Sequence, residues 1–212
     1  MFNIKRVPTD EEVKVDVQSI YEGHHKVTYK GIKAIRCPFD YLIYQMIIYE
    51  VKPDLVIEIG TNIGGGSLYI ADLLDSLGNG VVHTIDILDQ SDSIVKEHKR
   101  IKFFTEGWEN YNIELTQEFE TILIIEDASH IYKDSIGILN KFHQIVSKDS
   151  YFIVEDGIIN KLGLEKKYDG GPLKAIREFL PNHPEYIVDR NWCDMFGKNA
   201  TFNVNGYLKK IK

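Results

Sequence analysis

Cysteine is scarce in this chain of 212 residues, and long apolar runs are missing. The two cysteines, Cys37 and Cys193, form no CxxC pair, so we expect a reduced cytoplasmic protein rather than a disulfide-bonded one. No apolar run approaches the ~18 residues that a membrane-spanning helix needs, and the N-terminal segment lacks the apolar stretch of a signal peptide. We therefore expect no membrane partner.

Basic charge is also in short supply. The sequence has 25 Lys and Arg against 32 Asp and Glu, which gives a formal net charge of −7, and no segment gathers the basic residues into a stripe. Because binding along a phosphate backbone needs such a stripe, we expect no nucleic-acid partner. The hydrophobic fraction of 43% is that of an ordinary globular protein.

The apolar residues that are present alternate between two patterns. Short apolar or β-branched runs predict five strands, at residues 54–59, 81–86, 101–104, 121–125 and 151–154. Helical spacing predicts helices at residues 40–51, 67–77, 132–146 and 172–180, with a polar helix-like stretch that ends at residue 97. Strands that are apolar throughout and are separated by helices favour a doubly wound α/β fold with a mostly parallel, Rossmann-like sheet.

The two ends of the chain depart from this alternation. The C-terminal tail predicts late antiparallel strands at residues 186–189, 201–204 and 207–211. Residues 1–36 form an N-terminal extension, which offers a surface for a homo-oligomer, and residues 37–212 form the main domain.

A glycine-rich turn follows the first predicted strand, over residues 58–67 (EIGTNIGGGS). Glycines let a backbone approach a ligand closely, and free N–H groups at a helix start favour a carboxylate or a phosphate. The spacing of Gly60 and Gly64 is not G-x-G-x-x-G, which argues against a dinucleotide fingerprint. A second acid, Asp86, ends the next strand, where it is placed to hold ribose hydroxyls.

An acid-x-Gly sequence after the first strand and an acid after the second resemble the S-adenosylmethionine (SAM) site of class I, Rossmann-like methyltransferases. The resemblance implies that the glycine-rich turn holds the methionine part of SAM, Asp86 the ribose and the turn at residues 106–108 the adenine. Trp108 in that turn is equally compatible with a surface aromatic residue on a loop. The predicted cofactor-binding residues are Glu58, Gly60, Thr61, Gly64, Gly66, Ser67, Asp86, Gly107 and Trp108.

Acidic residues also follow the fourth and fifth predicted strands. The carboxyl ends of adjacent parallel strands lie ~5 Å apart, so these acids should converge beside the glycine-rich turn. Crowded carboxylates repel one another, and a hard divalent cation such as Mg²⁺ removes the conflict. We predict that Asp127, Glu155 and Asp156 bind Mg²⁺, although any one of them alone is compatible with a solvated or helix-capping acid.

His130 lies three residues after Asp127, and a turn there would bring its imidazole to the open side of the cation. We predict that His130 is the general base and that Asp127 and His130 are the catalytic residues, because an unperturbed histidine titrates near pH ~6.5. The other histidines have no comparable neighbours in the sequence, and we expect surface or packing roles for them.

Several segments together carry a family pattern, namely residues 37–45, 52–61, 64–74, 127–130, 154–156, 171–180 and 205–208. In combination they resemble the cephalosporin hydroxylase family, which includes rhamnosyl O-methyltransferase-like enzymes, over about residues 36–211. The resemblance implies a SAM-dependent O-methyltransferase with Mg²⁺ at the strand-end acids. The layout is also similar to catechol O-methyltransferases, in which a basic residue stands three positions after the first metal Asp, the place of His130 here.

The expected reaction moves the methyl group of SAM to a hydroxyl of a sugar, polyol or natural-product acceptor. Two other functions stay open: a non-catalytic SAM-binding partner subunit in a biosynthetic pathway, and an NAD-dependent oxidoreductase in which Asp86 binds the ribose. The loop at residues 157–171 is either a lid over the acceptor or an ordinary surface loop.

Overall fold

The computed structural model describes residues 12–212, which form a seven-stranded sheet and the helices around it. A hairpin of β1 (Thr28–Tyr29) and β2 (Ile32–Lys33) precedes this sheet. The sheet itself contains β3 (Leu55–Ile59), β4 (Val81–Ile85), β5 (Ile101–Phe104), β6 (Ile122–Glu126), β7 (Tyr151–Val154), β8 (Tyr186–Val188) and β9 (Tyr207–Lys210). The seven α-helices of the described residues are α1 (Val17–His24), α2 (Pro38–Val51), α3 (Gly65–Leu77), α4 (Ser93–Lys96), α5 (Tyr132–Phe142), α6 (Gly171–Phe179) and α7 (Arg190–Cys193).

The strand order shows where a sheet of this kind binds its ligands. It runs β5-β4-β3-β6-β7-β9-β8, with β3 to β7 parallel and β9 antiparallel to both β7 and β8. The chain moves outward from β3 to β5 and then returns to the other side of β3 at β6. Ligands of such sheets bind at this reversal, beyond the carboxyl ends of the strands. The Rossmann-like, mostly parallel sheet with antiparallel C-terminal strands is therefore confirmed.

The two faces of the sheet are each covered by helices. Neighbouring residues of one strand point to opposite faces, so Val56 packs in one core and Ile57 in the other. The core on the first face includes α2 and α3, and the core on the second face includes α5 and α6. Burial on both faces explains why these strands have no polar alternation in the sequence.

Three predicted elements differ from the structure. Residues 201–204 are not a strand: Val204 N–H donates to the carbonyl of Phe202 at 3.0 Å and Asn203 N–H to Thr201 Oγ1 at 2.9 Å, so these local bonds form a turn. The helix predicted at residues 132–146 ends at Phe142 and continues only as a 3₁₀ turn. The polar stretch before residue 97 is helical over four residues only.

The described part of the N-terminal extension packs against the rest of the chain. The hydroxyl of Tyr29 in the hairpin donates to Asp72 of α3 at 2.8 Å, and Tyr21 of α1 packs near Phe202. The sequence pattern changes at the predicted boundary, residue 36, but the residues on its two sides are in contact with each other. Among residues 12–212, no helix is both long enough and apolar enough to cross a membrane.

Candidate active site

A cavity of about 610 Å³ opens at the carboxyl ends of the parallel strands, where the strand order reverses. Its walls come from the turns that follow the five parallel strands and from the N-terminal segment. The predicted site residues that line it are Gly60, Asp86, Gly107, Trp108, Asp127, His130 and Asp156. The sequence thus places most of the predicted chemistry around one space.

Gly60 lets the ends of β3 and β6 meet. Its φ is +109°, and a Cβ there would lie 1.9 Å from the carbonyl oxygen of Asp127. The backbone is held in this position because Gly60 N–H donates to Ile85 O and Asp127 N–H to Ile59 O, both at 2.8 Å. Only glycine fits this backbone, because the carbonyl group of Asp127 occupies the space that a side chain would need.

Asp86 lies at the end of β4 and faces the cavity with a fixed carboxylate. One oxygen accepts the backbone N–H of Ile87 at 2.7 Å, and the other accepts the N–H of Asn62 at 2.9 Å. Asn62, which the sequence analysis missed, has a φ of +51° and also lines the cavity. This turn joins the glycine-rich loop to the acid that is predicted to bind the ribose.

Several predicted cofactor-binding residues lie behind the cavity rather than in its wall. Glu58 is buried and accepts hydrogen bonds from Ser67 Oγ and, at 3.1 Å, from Thr84 Oγ1, which in turn lies 2.7 Å from Thr61 Oγ1. These contacts tie β3, β4 and the start of α3 together. We infer that Glu58, Thr61 and Ser67 shape the glycine-rich turn, while Gly64, with a φ of +90°, starts the helix against Val95.

Arg36 is the principal site residue that the sequence analysis missed. Its side chain is 3% exposed and lies among the carboxylates of Glu58, Asp127 and Glu155, at N–O distances of 3.4, 3.4 and 2.6 Å. The only signal in the sequence is a single charged residue directly before the Cys-Pro-Phe-Asp segment of α2. A lone arginine in that position carries no recognisable spacing, and only the fold shows what surrounds it.

Asp127, His130 and Asp156 converge on one wall of the cavity. Each offers one ligand atom, and these atoms all lie within 4.8 Å of one another. His130 Nε2 lies 3.3 Å from Asp156 Oδ2, and the three side chains keep partial exposure. Both His130 and Asp156 have positive φ values, 60° and 57°, so tight turns after β6 and β7 aim them at each other.

Glu155, the third predicted metal ligand, has partners of its own in the structure. One of its oxygens accepts from Arg36 and from the hydroxyl of Tyr44, at 2.6 and 2.7 Å, and the other accepts from Arg36 Nε at 3.1 Å. The group of close ligand atoms in this wall therefore consists of Asp127, His130 and Asp156, and a metal-binding role for Glu155 stays a prediction. Asp156 follows in a tight turn with a φ of +57°, and its carboxylate meets His130 instead.

The acids at this edge have strongly perturbed protonation. Burial, and then the neighbouring carboxylate of Glu155, raise the pKa of Asp127 well above its ordinary value, against the effect of Arg36. Burial also raises the pKa of Glu126 to about 8. Arg36 alone does not balance the acids around it. Two carboxylates that face a cavity suit Mg²⁺, which takes one or two protein carboxylates and keeps several waters, so the donor set fits the predicted cation.

Trp108 forms the far wall of the cavity and packs on α5. A Cβ on Gly137 of that helix would lie 2.6 Å from its ring. The indole is half-buried and belongs to the second core, so Trp108 is more than a surface aromatic residue. Its contact with adenine stays a prediction.

The other histidines, for which surface or packing roles are expected, gain acidic neighbours only in the fold. His98 lies 3.4 Å from Asp75, and His183 lies 2.9 Å from Glu185. His24 and His25 line the cavity together with Tyr21, although they come from the N-terminal extension. Their sequence position gave no sign of this, because only tertiary packing brings α1 to the carboxyl edge of the sheet.

Residues 157–171 contribute another wall. Gly157, Ile158 and Ile159 are buried, and the ring of Tyr168 lies 6.0 Å from that of His130. The carbonyl of Tyr168 accepts the backbone N–H of Tyr132 at 3.0 Å, which ties the segment to the start of α5. The segment is thus packed against the site, and its movement as a lid stays a prediction.

Comparison with known proteins identifies the family. Residues 22–211 match the family described as Rhamnosyl O-methyltransferase/CmcI. The chain belongs to that family. The predicted resemblance and the predicted enzyme class, an O-methyltransferase, are confirmed by this match.

The chain is similar in sequence to rhamnosyl O-methyltransferases and similar in fold to CmcI structures. The chain is 29% identical to the rhamnosyl O-methyltransferase of Mycobacterium leprae (strain TN) over 211 residues, which cover 90% of each chain. It is 28% identical to that of Mycobacterium tuberculosis (strain ATCC 25618 / H37Rv) over 192 residues, 86% of this chain and 78% of the relative. A CmcI structure with SAH has a TM-score of 0.70 at 17% identity and covers 99% of this chain and 96% of its own. A second, with Mg and SAM, has a TM-score of 0.67 at 18% identity and covers 99% and 88%.

Proposed function

We propose that this family member transfers the methyl group of SAM to a hydroxyl group of a sugar, polyol or natural-product acceptor, with Mg²⁺ bound at the site. The observation that carries the proposal is the convergence of Asp127, His130 and Asp156 beside the Gly60 turn, in one cavity of about 610 Å³. Two likenesses support it: a CmcI structure of the same fold is described with Mg and SAM, and the curated relatives are rhamnosyl O-methyltransferases.

Different residues bind the methyl donor, hold the cation and accept the proton. Gly60 and Asp86 bind the methyl donor, and Asp127 and Asp156 hold the cation, with Glu155 engaged by Arg36 behind them. When bound, the cation supplies Lewis acidity toward a hydroxyl and aligns two vicinal oxygens. The acceptor oxygen forms a bond to the methyl carbon as the carbon–sulfur bond breaks, and the electron pair stays on sulfur. The hydroxyl proton passes to His130.

Asp156 orients this base. Asp156 Oδ2 lies 3.3 Å from Nε2 of His130, where its negative charge stabilises the imidazolium that forms when His130 takes the proton. Ile159 and Tyr168 line the cavity and shield one side of it from bulk water. An acceptor that fits here is a ring with two adjacent oxygens, one of which is methylated.

The test follows labelled methyl transfer from SAM to a panel of acceptors that begins with rhamnosides bearing adjacent free hydroxyls. We expect turnover that EDTA abolishes and Mg²⁺ restores, and a loss of at least ~100-fold in Asp127→Asn. Asp75→Asn is the matched control, because Asp75 lies in an Asp/His group outside the cavity, where it pairs with Arg100. Full activity with EDTA and in Asp127→Asn would contradict the proposal.

A second variant separates the base from the metal ligands. His130→Gln should lower kcat by ~10²- to 10⁴-fold and leave Mg²⁺ affinity unchanged in calorimetry. A parallel loss of Mg²⁺ affinity would instead make His130 a ligand. Tight SAM binding without turnover on any acceptor, in the wild type, would favour a non-catalytic partner subunit.

A further inference from the structure

Two histidines and a glutamate meet on the side of the sheet away from the cavity. His143 begins the 3₁₀ turn that follows α5, and His183 and Glu185 precede β8. Strand β8 runs in the same direction as β7, because both are antiparallel to β9, so the residues before it lie at the amino ends of the strands. The cavity of the candidate active site lies at the opposite, carboxyl ends. The three side chains therefore form a group apart from the predicted catalytic residues.

The ligand atoms of this group share one small space. Nδ1 of His183 lies 2.9 Å from Oε1 of Glu185, and Nδ1 of His143 lies 3.6 Å from the same oxygen. With one ligand atom taken from each residue, all three atoms lie within 4.8 Å of one another. Imidazole nitrogen and carboxylate oxygen bind Zn²⁺ at ~2.0–2.2 Å, so the ligand atoms of a tetrahedral ion are ~3.3–3.6 Å apart. The observed distances are close to this spacing, and two histidines with one glutamate are a ligand set that zinc sites use together with a water.

Packing fixes the two imidazole rings. The ring of His183 stacks on that of Phe179, with the centroids 3.8 Å apart and an angle of 13° between the planes. The ring of His143 lies 5.6 Å from the same phenyl ring and 4.3 Å from the ring of His183. Phe179 is itself buried in the second core. Ligands that are held in place before the metal arrives lose little freedom when it binds, which distinguishes this group from a chance meeting of surface side chains.

Backbone oxygens hold the ammonium group of the neighbouring Lys210. Its Nζ donates to the carbonyl oxygens of His143, Gln144 and Val146, at 3.3, 3.0 and 2.7 Å. Among residues 12–212, the ion pairs of Glu185 involve only the two histidines. The carboxylate therefore keeps its charge for a cation that lies between the two rings, while Lys210 anchors the backbone of His143 beside β9.

A second group of acids and a histidine, on and beside α3, shows the opposite arrangement. Asp72, Asp75 and His98 also place one ligand atom each within 4.8 Å of the others. There, however, Asp72 pairs with Lys30 at 2.7 Å, and Asp75 pairs with Arg100. Because cationic side chains already neutralise these carboxylates, this group needs no metal ion, and it serves as a control.

We propose that His143, His183 and Glu185 bind one zinc ion, with water in the fourth position, and that this ion fastens the end of α5 to the start of β8. Zinc is the expected metal because imidazole ligands suit it, whereas Mg²⁺ prefers oxygen ligands. Strand β8 lies at the edge of the sheet and pairs on one side only, so an ion at its start adds a second attachment to the fold. Its role is structural and does not depend on the proposed function.

Calorimetry with Zn²⁺ alone tests the site on the full chain. We expect a binding event in the wild type that His183→Gln and Glu185→Gln each weaken by at least ~100-fold, because even the loss of an outer-shell partner of a metal ligand costs ~10- to 100-fold. His98→Gln is the matched control, because His98 also lies beside carboxylates, 3.4 Å from Asp75. His130→Gln removes a ligand atom of the group in the cavity and should likewise leave this event unchanged.

Thermal unfolding gives a second readout. Zn²⁺ at ~100 times its Kd should raise the Tm of the wild type by ~5–10 °C, since an ion that binds only the folded chain stabilises it. The rise should be absent in His183→Gln and Glu185→Gln and present in His98→Gln. A Tm in EDTA near the wild-type value shows that each variant is folded.

Four results would overturn the assignment. The first two are the absence of Zn²⁺ binding by the wild type and a binding event that persists in both His183→Gln and Glu185→Gln. The third is an event that is lost only in His130→Gln, which would place the ion in the cavity. The fourth is an event that is lost only in His98→Gln, which would place the ion beside α3.

Discussion

Replacement of Gly60 by alanine tests the close approach of β3 and β6 on which the site depends. A Cβ at this position would lie 1.9 Å from the carbonyl oxygen and 2.5 Å from the carbonyl carbon of Asp127. Neither backbone can retreat freely, since Gly60 N–H and Asp127 N–H both donate to neighbouring strand ends at 2.8 Å. The new methyl group therefore meets backbone atoms rather than a flexible side chain.

Gly78 provides the matched control. It ends α3 with a φ of +75°, and a Cβ there would meet nothing within 4 Å. Gly78→Ala should cost only the left-handed backbone term, about 1–2 kcal/mol. Gly60→Ala, with a φ of +109°, bears a comparable backbone cost and in addition an overpacking cost of about 1–3 kcal/mol. The sum is about 2–5 kcal/mol, a large share of the 5–15 kcal/mol typical of a folded domain.

Thermal and guanidinium unfolding of the two variants measure this difference. For a domain of this size about 1 kcal/mol lowers Tm by ~2–4 °C, so we expect a fall of ~2–8 °C for Gly78→Ala and ~4–20 °C for Gly60→Ala. SAM binding should persist in Gly78→Ala and be lost in Gly60→Ala. Equal shifts in Tm, with SAM binding intact in both, would refute the argument that the two strand ends meet at Gly60.

Three further outcomes can be measured. Burial raises the pKa of Asp40 to about 7, so between pH ~4 and ~7 the folded protein holds a proton that the unfolded chain releases. The free energy of unfolding therefore falls by ~4 kcal/mol from this group as the pH rises through that range. Urea titrations of Asp40→Asn should lack this pH dependence, and an unchanged pH dependence would show that Asp40 is ionised in the folded protein. Gly137→Ala should change the free energy of unfolding little, because the helix propensity of alanine offsets the cost of moving the ring of Trp108. The same movement should weaken SAM binding, and unaltered SAM affinity would remove Trp108 from the donor site. Cys37 and Cys193 are buried and unpaired, and burial raises the pKa of Cys37 to about 12. A thiol reagent should therefore label neither cysteine until the protein unfolds. Rapid labelling of the folded protein would contradict the burial of these side chains.

The sequence is most informative about the sheet and the turns after its strands. Apolar runs of strand length predict β3 to β7 closely, because a strand buried on both faces tolerates few polar residues. The turns at Gly60 and Asp86 follow from the same reasoning, since parallel strands bring their carboxyl ends to one edge. Residues 201–204 were mispredicted because the alternation of Thr, Phe, Asn and Val over four residues suits a turn as well as a strand. In the fold a buried carboxylate, Asp40, accepts the N–H of Phe202.

The parts of the site that the sequence does not reveal are those set by side-chain direction and by distant segments. Glu155 and Asp156 are neighbours in the chain, yet one carboxylate meets Arg36 and the other meets His130. Nothing in a dipeptide of two acids distinguishes these roles. Arg36 and His24 come from a region without a regular pattern, and their place beside the strand ends depends on how the N-terminal segment packs.

The position of β9 has a consequence for how the protein is made. Tyr207–Lys210 is the last strand of the sheet in chain order, but it lies inside the sheet, between β7 and β8. While a ribosome synthesises the chain, the outer edge of β7 has no partner until this segment has emerged, and an open edge invites pairing with other chains. The parallel half of the sheet can assemble early during translation, whereas the complete sheet forms only near its end. Deletion of β9 would therefore leave β7 exposed and favour aggregation.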